Sequence, residues 1–253
     1  MNQEELVRKI KEDTSSGASE IMKKTVESLL LMSGRLGGQN PEQYLDTMIE
    51  LGKELIRAQP SMAPVFNTVN SMLLALELGF AHGSSTEDLH QRLNSAAKDI
   101  LDISNKAIAS INKEVSEVIE DEQKILMHSY SSTVIGALSF TRKEGKNFDV
   151  IVTESRPLFE GRRTAKILTR SGIPVALITD MAAFNYLDEC DLVLSGCDSI
   201  CHKGVVNKIG TKGLAVCASQ YNVPFFIVSE KNKVLPAKYL LEPQILEMNP
   251  DEI

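Results

Sequence analysis

An α/β fold is predicted, in which an N-terminal all-helical domain, residues 1–120, is followed by a Rossmann-like parallel-sheet domain, residues 121–253. In the first half, apolar residues recur every three or four positions, which is the period of an amphipathic helix. In the second half, five short β-rich runs alternate with helical stretches, which is the pattern of βαβ units. The hydrophobic content of 43% and the charged content of 24% are those of an ordinary globular protein.

Five helices are predicted in the first half, and local signals mark where several of them begin and end. Gly37 and Gly38 end the second helix, and Asn40 caps the third, with Pro41 at its first position. The fifth helix would be roughly 50 Å long, as expected of a helix that bridges two domains or lines a bundle. The predicted ranges are 3–12, 19–36, 41–59, 64–79 and 86–121.

The hydrophobic period changes at Lys124, and five strands follow. Right-handed crossovers place these strands in one parallel sheet, so their carboxyl ends share an edge. The polar residues after each strand therefore converge on one crevice, which is where open α/β sheets bind ligands. The predicted strands are ILMH, DVIVTES, PVALITD, LVLSG and PFFIVSE, and the helices between them are 132–143, 161–170, 182–189 and 210–221.

The stretch from Leu192 to Thr211 has the pattern of a ligand site. Its apolar strand breaks at Ser195, and Asn207 and Lys208 precede a helix start, whose free N–H groups attract phosphate. Asp198 is predicted either as a general acid or base or as the cap of a turn. Lys208 is predicted either as a phosphate ligand or as a solvated side chain. The alternative for the whole stretch is a loop that needs glycine for its turns.

Arginines follow the second strand, and arginine suits bidentate contacts with phosphate. Arg156 stands at the strand end, where a site role and a structural role are equally consistent with the pattern. At least one of Arg162 and Arg163 is predicted to be a solvated helix residue. His128 precedes Ser129, but neighbours in sequence do not make a catalytic pair, so a serine nucleophile is not the preferred interpretation.

Composition argues against several functional classes. The net charge of −7 disfavours general nucleic-acid binding. No apolar run reaches the roughly 18 residues of a membrane span, and the polar N-terminus lacks the apolar region of a signal peptide, so a cytoplasmic location is expected. No glycine-rich nucleotide motif is present, so no cofactor is expected. Reduced thiols rather than a metal site are predicted, because no CxxC pair occurs among Cys190, Cys197, Cys201 and Cys217.

Six segments of the second half carry a resemblance to a known superfamily: ILMHSYSSTV, VTESRPLFEGRRTA, ITDMAA, SGCDSI, VVNKIGT and VPFFIVSE. The first half is similar more loosely, through SSGASEI and RAQPSMAPVFN. The superfamily that the chain resembles contains the regulatory α, β and δ subunits of eukaryotic translation initiation factor 2B and their archaeal homologues. It also contains two sugar-phosphate isomerases, which act on methylthioribose 1-phosphate and on ribose 1,5-bisphosphate.

The resemblance implies two catalytic positions if the chain is an isomerase. The isomerases pair a cysteine after the first strand with an aspartate after the fourth; the aspartate is Asp198 here, whereas Ser129 stands at the cysteine position. A thiol can be tuned to transfer protons near neutral pH, but a serine hydroxyl needs an added base. Ser16 and Gln59 stand where the isomerases have phosphate-side arginines.

Because of these changes, the resemblance implies a non-catalytic regulatory protein of the initiation factor 2B type, with a pocket for a phosphorylated small molecule. Initiation factor 2 is a further implied partner, and a homodimer or larger even-numbered homo-oligomer is expected. The alternatives are an aldose–ketose isomerase acting on a ribose phosphate such as ribose 1,5-bisphosphate, and an interaction protein with a vestigial pocket. The ligand-binding residues that we predict are Gly17, Ala18, Ser131, Arg156, Gly161, Arg162, Asn207 and Lys208.

Overall fold

The computed structural model describes residues 2–236 and 243–245, and these residues form two compact units. The first unit comprises residues 2–106, Asp198–Gly204 and the described part of Asn232–Leu246. The second comprises Ala107–Cys197 and Val205–Lys231. The domain boundary that we predicted between residues 120 and 121 remains a prediction.

Amphipathic helices form the first unit, and each buries its apolar stripe in a shared core. The helices of the first half are α1 Gln3–Lys11, α2 Ala18–Ser33, α3 Pro41–Ala58, α4 Ala63–Ala81 and α5 Thr86–Val118. Side chains at the centre of the core have almost no solvent exposure, among them Ile21, Met22, Tyr44, Met48, Leu51, Met72 and Leu76. The all-helical character that we predicted for this half is confirmed.

Local capping explains where these helices begin and end. The side chain of Asn40 accepts a hydrogen bond from the N–H of Gln43 at 2.9 Å, as expected of an N-cap before proline. Helix α2 ends at Ser33, three residues before its predicted end at Leu36. The N–H of Leu36 donates to the Ser33 carbonyl at 3.1 Å, so the chain tightens into a turn of the 3₁₀ type there.

A five-stranded parallel sheet lies in the second unit, as predicted. Its strands are β1 Gln123–His128, β2 Phe148–Thr153, β3 Val175–Ile178, β4 Leu192–Ser195 and β7 Phe225–Ile227, in the spatial order β3-β2-β1-β4-β7. Two short strands outside this sheet, β5 Ser199–Cys201 and β6 Gly204–Val206, occur where the sequence predicted a polar turn. The β-branched residues Ile200, Val205 and Val206 favour extended backbone there.

Helices and helical turns connect the strands and cover both faces of the sheet. They are α6 Ser132–Lys143, α7 Glu160–Arg170, α8 Ala183–Tyr186 and α9 Thr211–Gln220, with 3₁₀ turns at Asp180–Ala182, Leu187–Glu189 and Lys231–Lys233. On one face, Met127, Val152 and Leu194 pack in a cluster with residues of α6 and α7. On the other face, Leu126 and Val193 pack with residues of α9. Burial on both faces explains why the central strands β1, β2 and β4 contain continuous apolar runs.

Candidate functional site

The strand order reverses between β1 and β4, so the crevice outside their carboxyl ends is the expected ligand position. Ser129 follows β1 with a left-handed φ of 72°, and Gly196 follows β4. A Cβ on Gly196 would lie 2.5 Å from Ser131 Oγ, so the two loops meet where a side chain does not fit. Ser131 itself caps α6 and accepts a hydrogen bond from the N–H of Val134 at 3.3 Å.

His128 ends β1 and is 3% exposed. Its Nε2 lies 2.9 Å from the Ile209 carbonyl, and its Nδ1 lies 2.8 Å from Thr153 Oγ1. A carbonyl only accepts, so Nε2 carries the proton and Nδ1 accepts from the threonine hydroxyl. Burial lowers the pKa of His128, which is therefore neutral near pH 7. With both nitrogens bonded, this imidazole cannot serve as the base for Ser129.

Ser129 is bonded through both its backbone and its side chain. Its N–H donates to Ser155 Oγ at 2.9 Å, and its hydroxyl donates to Glu160 Oε1 at 3.2 Å. The backbone bond holds the loop after β1 against the loop after β2. The side-chain bond directs the hydroxyl proton towards a carboxylate.

The carboxylate of Glu160 also pairs with Lys208, whose Nζ lies 2.7 Å from the same Oε1 atom. Only 17% of the Lys208 side chain and 13% of the Glu160 side chain are exposed. The second oxygen, Oε2, is buried and has no hydrogen-bond partner among the described residues. Glu160 thus joins the Ser129 hydroxyl and the Lys208 ammonium at one atom.

The loop before α9 is fixed by a chain of hydrogen bonds around Asn207. The Nδ2 of Asn207 donates to Ser195 Oγ and to Thr211 Oγ1, both at 3.0 Å. The Thr211 hydroxyl donates to the Lys208 carbonyl at 2.6 Å. Gly210 caps α9 with a φ of 96° that favours glycine, and a Cβ there would lie 3.4 Å from His128 Nε2. These contacts hold the backbone of Lys208 close to the end of β1.

Asp180, at the start of the turn after β3, fixes the loop after β2. Its two carboxylate oxygens accept from the N–H groups of Ser155 and Arg156, at 2.7 and 2.8 Å. The guanidinium groups of Arg156 and Arg162 lie 4.8 and 4.1 Å from the centre of the Phe159 ring. Cation–π contact of this kind fixes the planes of both guanidinium groups.

Two other residues after β2 have their own contacts. The guanidinium of Arg162 also pairs with Glu154 at 3.2 Å, in a partly exposed contact. Gly161 lies so close to β2 that a Cβ there would be 1.7 Å from the Thr153 carbonyl oxygen. Its N–H donates to the Glu154 carbonyl at 3.1 Å. The need for glycine at position 161 is therefore explained by packing, whatever its role toward a ligand.

The remaining predicted site residues, Gly17, Ala18 and Asp198, belong to the first unit. The N–H of Gly17 donates to Glu20 Oε2 at 3.0 Å, and Ala18 is buried at the start of α2. The Asp198 carbonyl accepts from the N–H of Ala63 at 3.3 Å. Thus the structure brings Ser129, Ser131, Arg156, Gly161, Arg162, Asn207 and Lys208 into the second unit.

The part of the chain that the structure describes contains no cluster of three or more metal-ligating side chains, and its cysteines are unbridged. None of its helices is both long and apolar enough to cross a membrane.

A model of the Initiation factor 2 subunit family matches residues 14–253. The chain belongs to this family. A relative from Thermococcus kodakarensis named ribose 1,5-bisphosphate isomerase is 32% identical over 251 residues, which cover 98% of this chain and 78% of that protein. The family membership that we predicted from the motifs is confirmed.

Solved structures share the fold of this chain. The Pyrococcus horikoshii translation initiation factor eIF-2B has a TM-score of 0.85 and 29% identity, covering 97% of this chain and 84% of that one. The tetrameric eIF2B-beta2-delta2 complex from C. thermophilum has a TM-score of 0.77 and 21% identity, covering 93% and 79%. The family therefore includes both eIF2B-like proteins and sugar-phosphate isomerases, and relatives with this fold form oligomers.

Three residues that contact the candidate site were not among the site residues that we predicted from the sequence: Thr153, Asp180 and Glu160. Thr153 and Asp180 end or follow strands, but nothing in their neighbourhood indicated that they would bond His128 and the loop after β2. Glu160 lay inside a quoted segment, beside Gly161, and an acidic residue in the first turn of a helix is usually explained by the helix dipole. Its distances to Ser129 and Lys208 appear only in three dimensions.

Proposed function

We propose that this protein binds a phosphorylated sugar at the carboxyl edge of the sheet in the second unit. The observation that carries the proposal is the partly buried trio of Ser129, Glu160 and Lys208 at the strand-order reversal. A lysine ammonium suits phosphate, and the neighbouring Ser129 hydroxyl suits the hydroxyls of a sugar. Asn207 and Arg156 are the further ligand-binding residues that we propose.

Isomerisation of a ribose phosphate from aldose to ketose is the activity that the relatives favour. The isomerase from Thermococcus kodakarensis is similar to almost the whole chain, at 32% identity. In this proposal Asp198 relays protons, and Ser129 occupies the position after β1 at which the isomerases were expected to carry a thiol. His128 is left out of the proton transfer because both of its ring nitrogens are already bonded.

A non-catalytic regulatory function of the eIF2B type is the second candidate, and Ser129 favours it. Its hydroxyl donates to a carboxylate that Lys208 already neutralises, so it has no strong base beside it. Initiation factor 2 would then be a partner, and the chain would form an even-numbered oligomer. Light scattering checks the oligomer, and a strict monomer at micromolar concentration would contradict that part of the proposal.

One experiment separates the two candidates. The protein is incubated with ribose 1,5-bisphosphate and, separately, with methylthioribose 1-phosphate, and NMR detects any ketose. Turnover that Asp198→Asn abolishes supports the isomerase. Saturable binding without turnover supports the regulatory protein; a thermal-shift assay detects it, because a ligand at 100 times its Kd stabilises the fold by about 2.7 kcal/mol. If the protein showed no turnover and no binding, the proposed sugar-phosphate site would be refuted for these two ligands.

A further inference from the structure

The charge of Lys208 is already balanced before any ligand binds. Its ammonium lies 2.7 Å from Glu160 Oε1, and both side chains are more than four-fifths buried. Solvent and salt screen such a pair much less than one on the surface. A phosphate that approaches Lys208 therefore meets the negative charge of Glu160 as well.

Glu160 is itself short of hydrogen-bond donors. Its Oε1 accepts from both Ser129 and Lys208, while its buried Oε2 has no partner among the described residues. If Lys208 turned to a phosphate, the carboxylate would keep only the serine hydroxyl. A buried carboxylate with so few donors is poorly stabilised beside a new anion, so Glu160 opposes the release of Lys208.

We propose that Glu160 is an internal counter-ion that competes with the ligand phosphate for Lys208. The inference rests on the proposed function, since it requires Lys208 to be the phosphate-binding cation. No covalent bond of the ligand changes in this step. The competition makes the site selective: a ligand binds only if its phosphate interacts with Lys208 more strongly than the Glu160 carboxylate does.

Two other polar side chains at the strand ends of the second unit have partners of their own. His128 at the end of β1 is bonded through both ring nitrogens. Asp180 at the start of the turn after β3 accepts from two backbone N–H groups. Because both side chains already have these partners, Glu160 is the group whose partner changes when Lys208 binds phosphate.

Isothermal titration calorimetry with ribose 1,5-bisphosphate at pH 7 tests the inference. The comparison is between the natural protein and Glu160→Gln, which keeps the side-chain size and an acceptor oxygen but removes the charge. Glu189→Gln is the matched control, because Glu189 pairs with Lys124 at 2.9 Å in an exposed contact at the opposite edge of the sheet. If Glu160→Gln does not fold, Glu160→Ala replaces it.

Glu160→Gln should bind about tenfold more tightly than the natural protein, because the anion no longer meets a carboxylate. Glu189→Gln should bind with the affinity of the natural protein. Weaker binding by Glu160→Gln would overturn the inference and make Glu160 a direct ligand contact. Unchanged affinity of Glu160→Gln would overturn it as well. If no variant binds, the proposed function fails for this ligand, and the inference fails with it.

Discussion

Gly161→Ala is the substitution whose effect on the free energy of unfolding follows most directly from the structure. The added Cβ would lie 1.7 Å from the Thr153 carbonyl oxygen and 2.9 Å from the Glu154 carbonyl carbon. Real Cβ atoms essentially never come within 3 Å of backbone atoms, so α7 must move away from β2 by more than 1 Å. Overpacking of this kind costs about 1–3 kcal/mol, and a rigid backbone neighbour places it at the upper end, at about 3 kcal/mol.

Thermal unfolding followed by circular dichroism measures this cost. For a chain of this size, about 3 kcal/mol corresponds to a fall in Tm of about 6–12 °C. Gly136→Ala is the matched control: its Cβ would find only Asn112 Oδ1, at 3.8 Å, and it lies within α6. Alanine in that helix should raise stability by about 0.5–1 kcal/mol. If Gly161→Ala had the same Tm as the natural protein, the inferred close packing of α7 against β2 would be wrong.

Three further predictions concern the site. Lys208→Met should weaken ribose 1,5-bisphosphate binding in calorimetry by about tenfold or more, the value of a charge-assisted hydrogen bond; an equal loss in the exposed Lys212→Met would contradict it. Ser129→Cys should raise ketose formation in the NMR assay at least about tenfold, since a thiol can transfer protons near pH 7; an unchanged rate counts against the isomerase. Because the folded pKa of His128 lies below 6.5, the unfolded chain binds more protons and stability should fall below about pH 6.5. A Tm that falls equally in His128→Gln would refute that cause.

The fold could be predicted from the sequence because the spacing of apolar residues distinguishes the helical half from the half with alternating strands and helices. Helical spacing persists to the end of α5, and the βαβ alternation then leaves a parallel sheet as the consistent solution. The boundaries held within a few residues wherever a cap was local, as at Asn40 and Pro41. The end of α2 was missed because the chain passes through a 3₁₀ turn before Gly37, and such a turn has no distinctive pattern in sequence.

The site could be predicted in part, since strand ends in a parallel sheet converge whatever their sequence. By that rule we expected Ser129, Asn207 and Lys208 to lie near one another, and all three belong to the second unit. It could not indicate which polar groups would bond each other. Glu160 and Lys208 are 48 positions apart in the sequence, Glu160 at the start of α7 and Lys208 before α9. Only the packing of these elements around the sheet brings the two side chains within 2.7 Å of each other.

Serine and cysteine after β1 would give this position different chemistry. In this structure the Ser129 hydroxyl donates to the Glu160 carboxylate, which also forms an ion pair with the Lys208 ammonium. A serine held in this way orients and binds, but it does not readily give up its proton near neutral pH, because no neutral base is available to it. A thiol in the same place would titrate close to neutral pH, with Lys208 favouring the thiolate and Glu160 opposing it. The side chain after β1 is therefore one place at which binding and isomerisation could separate within a family that contains both kinds of protein.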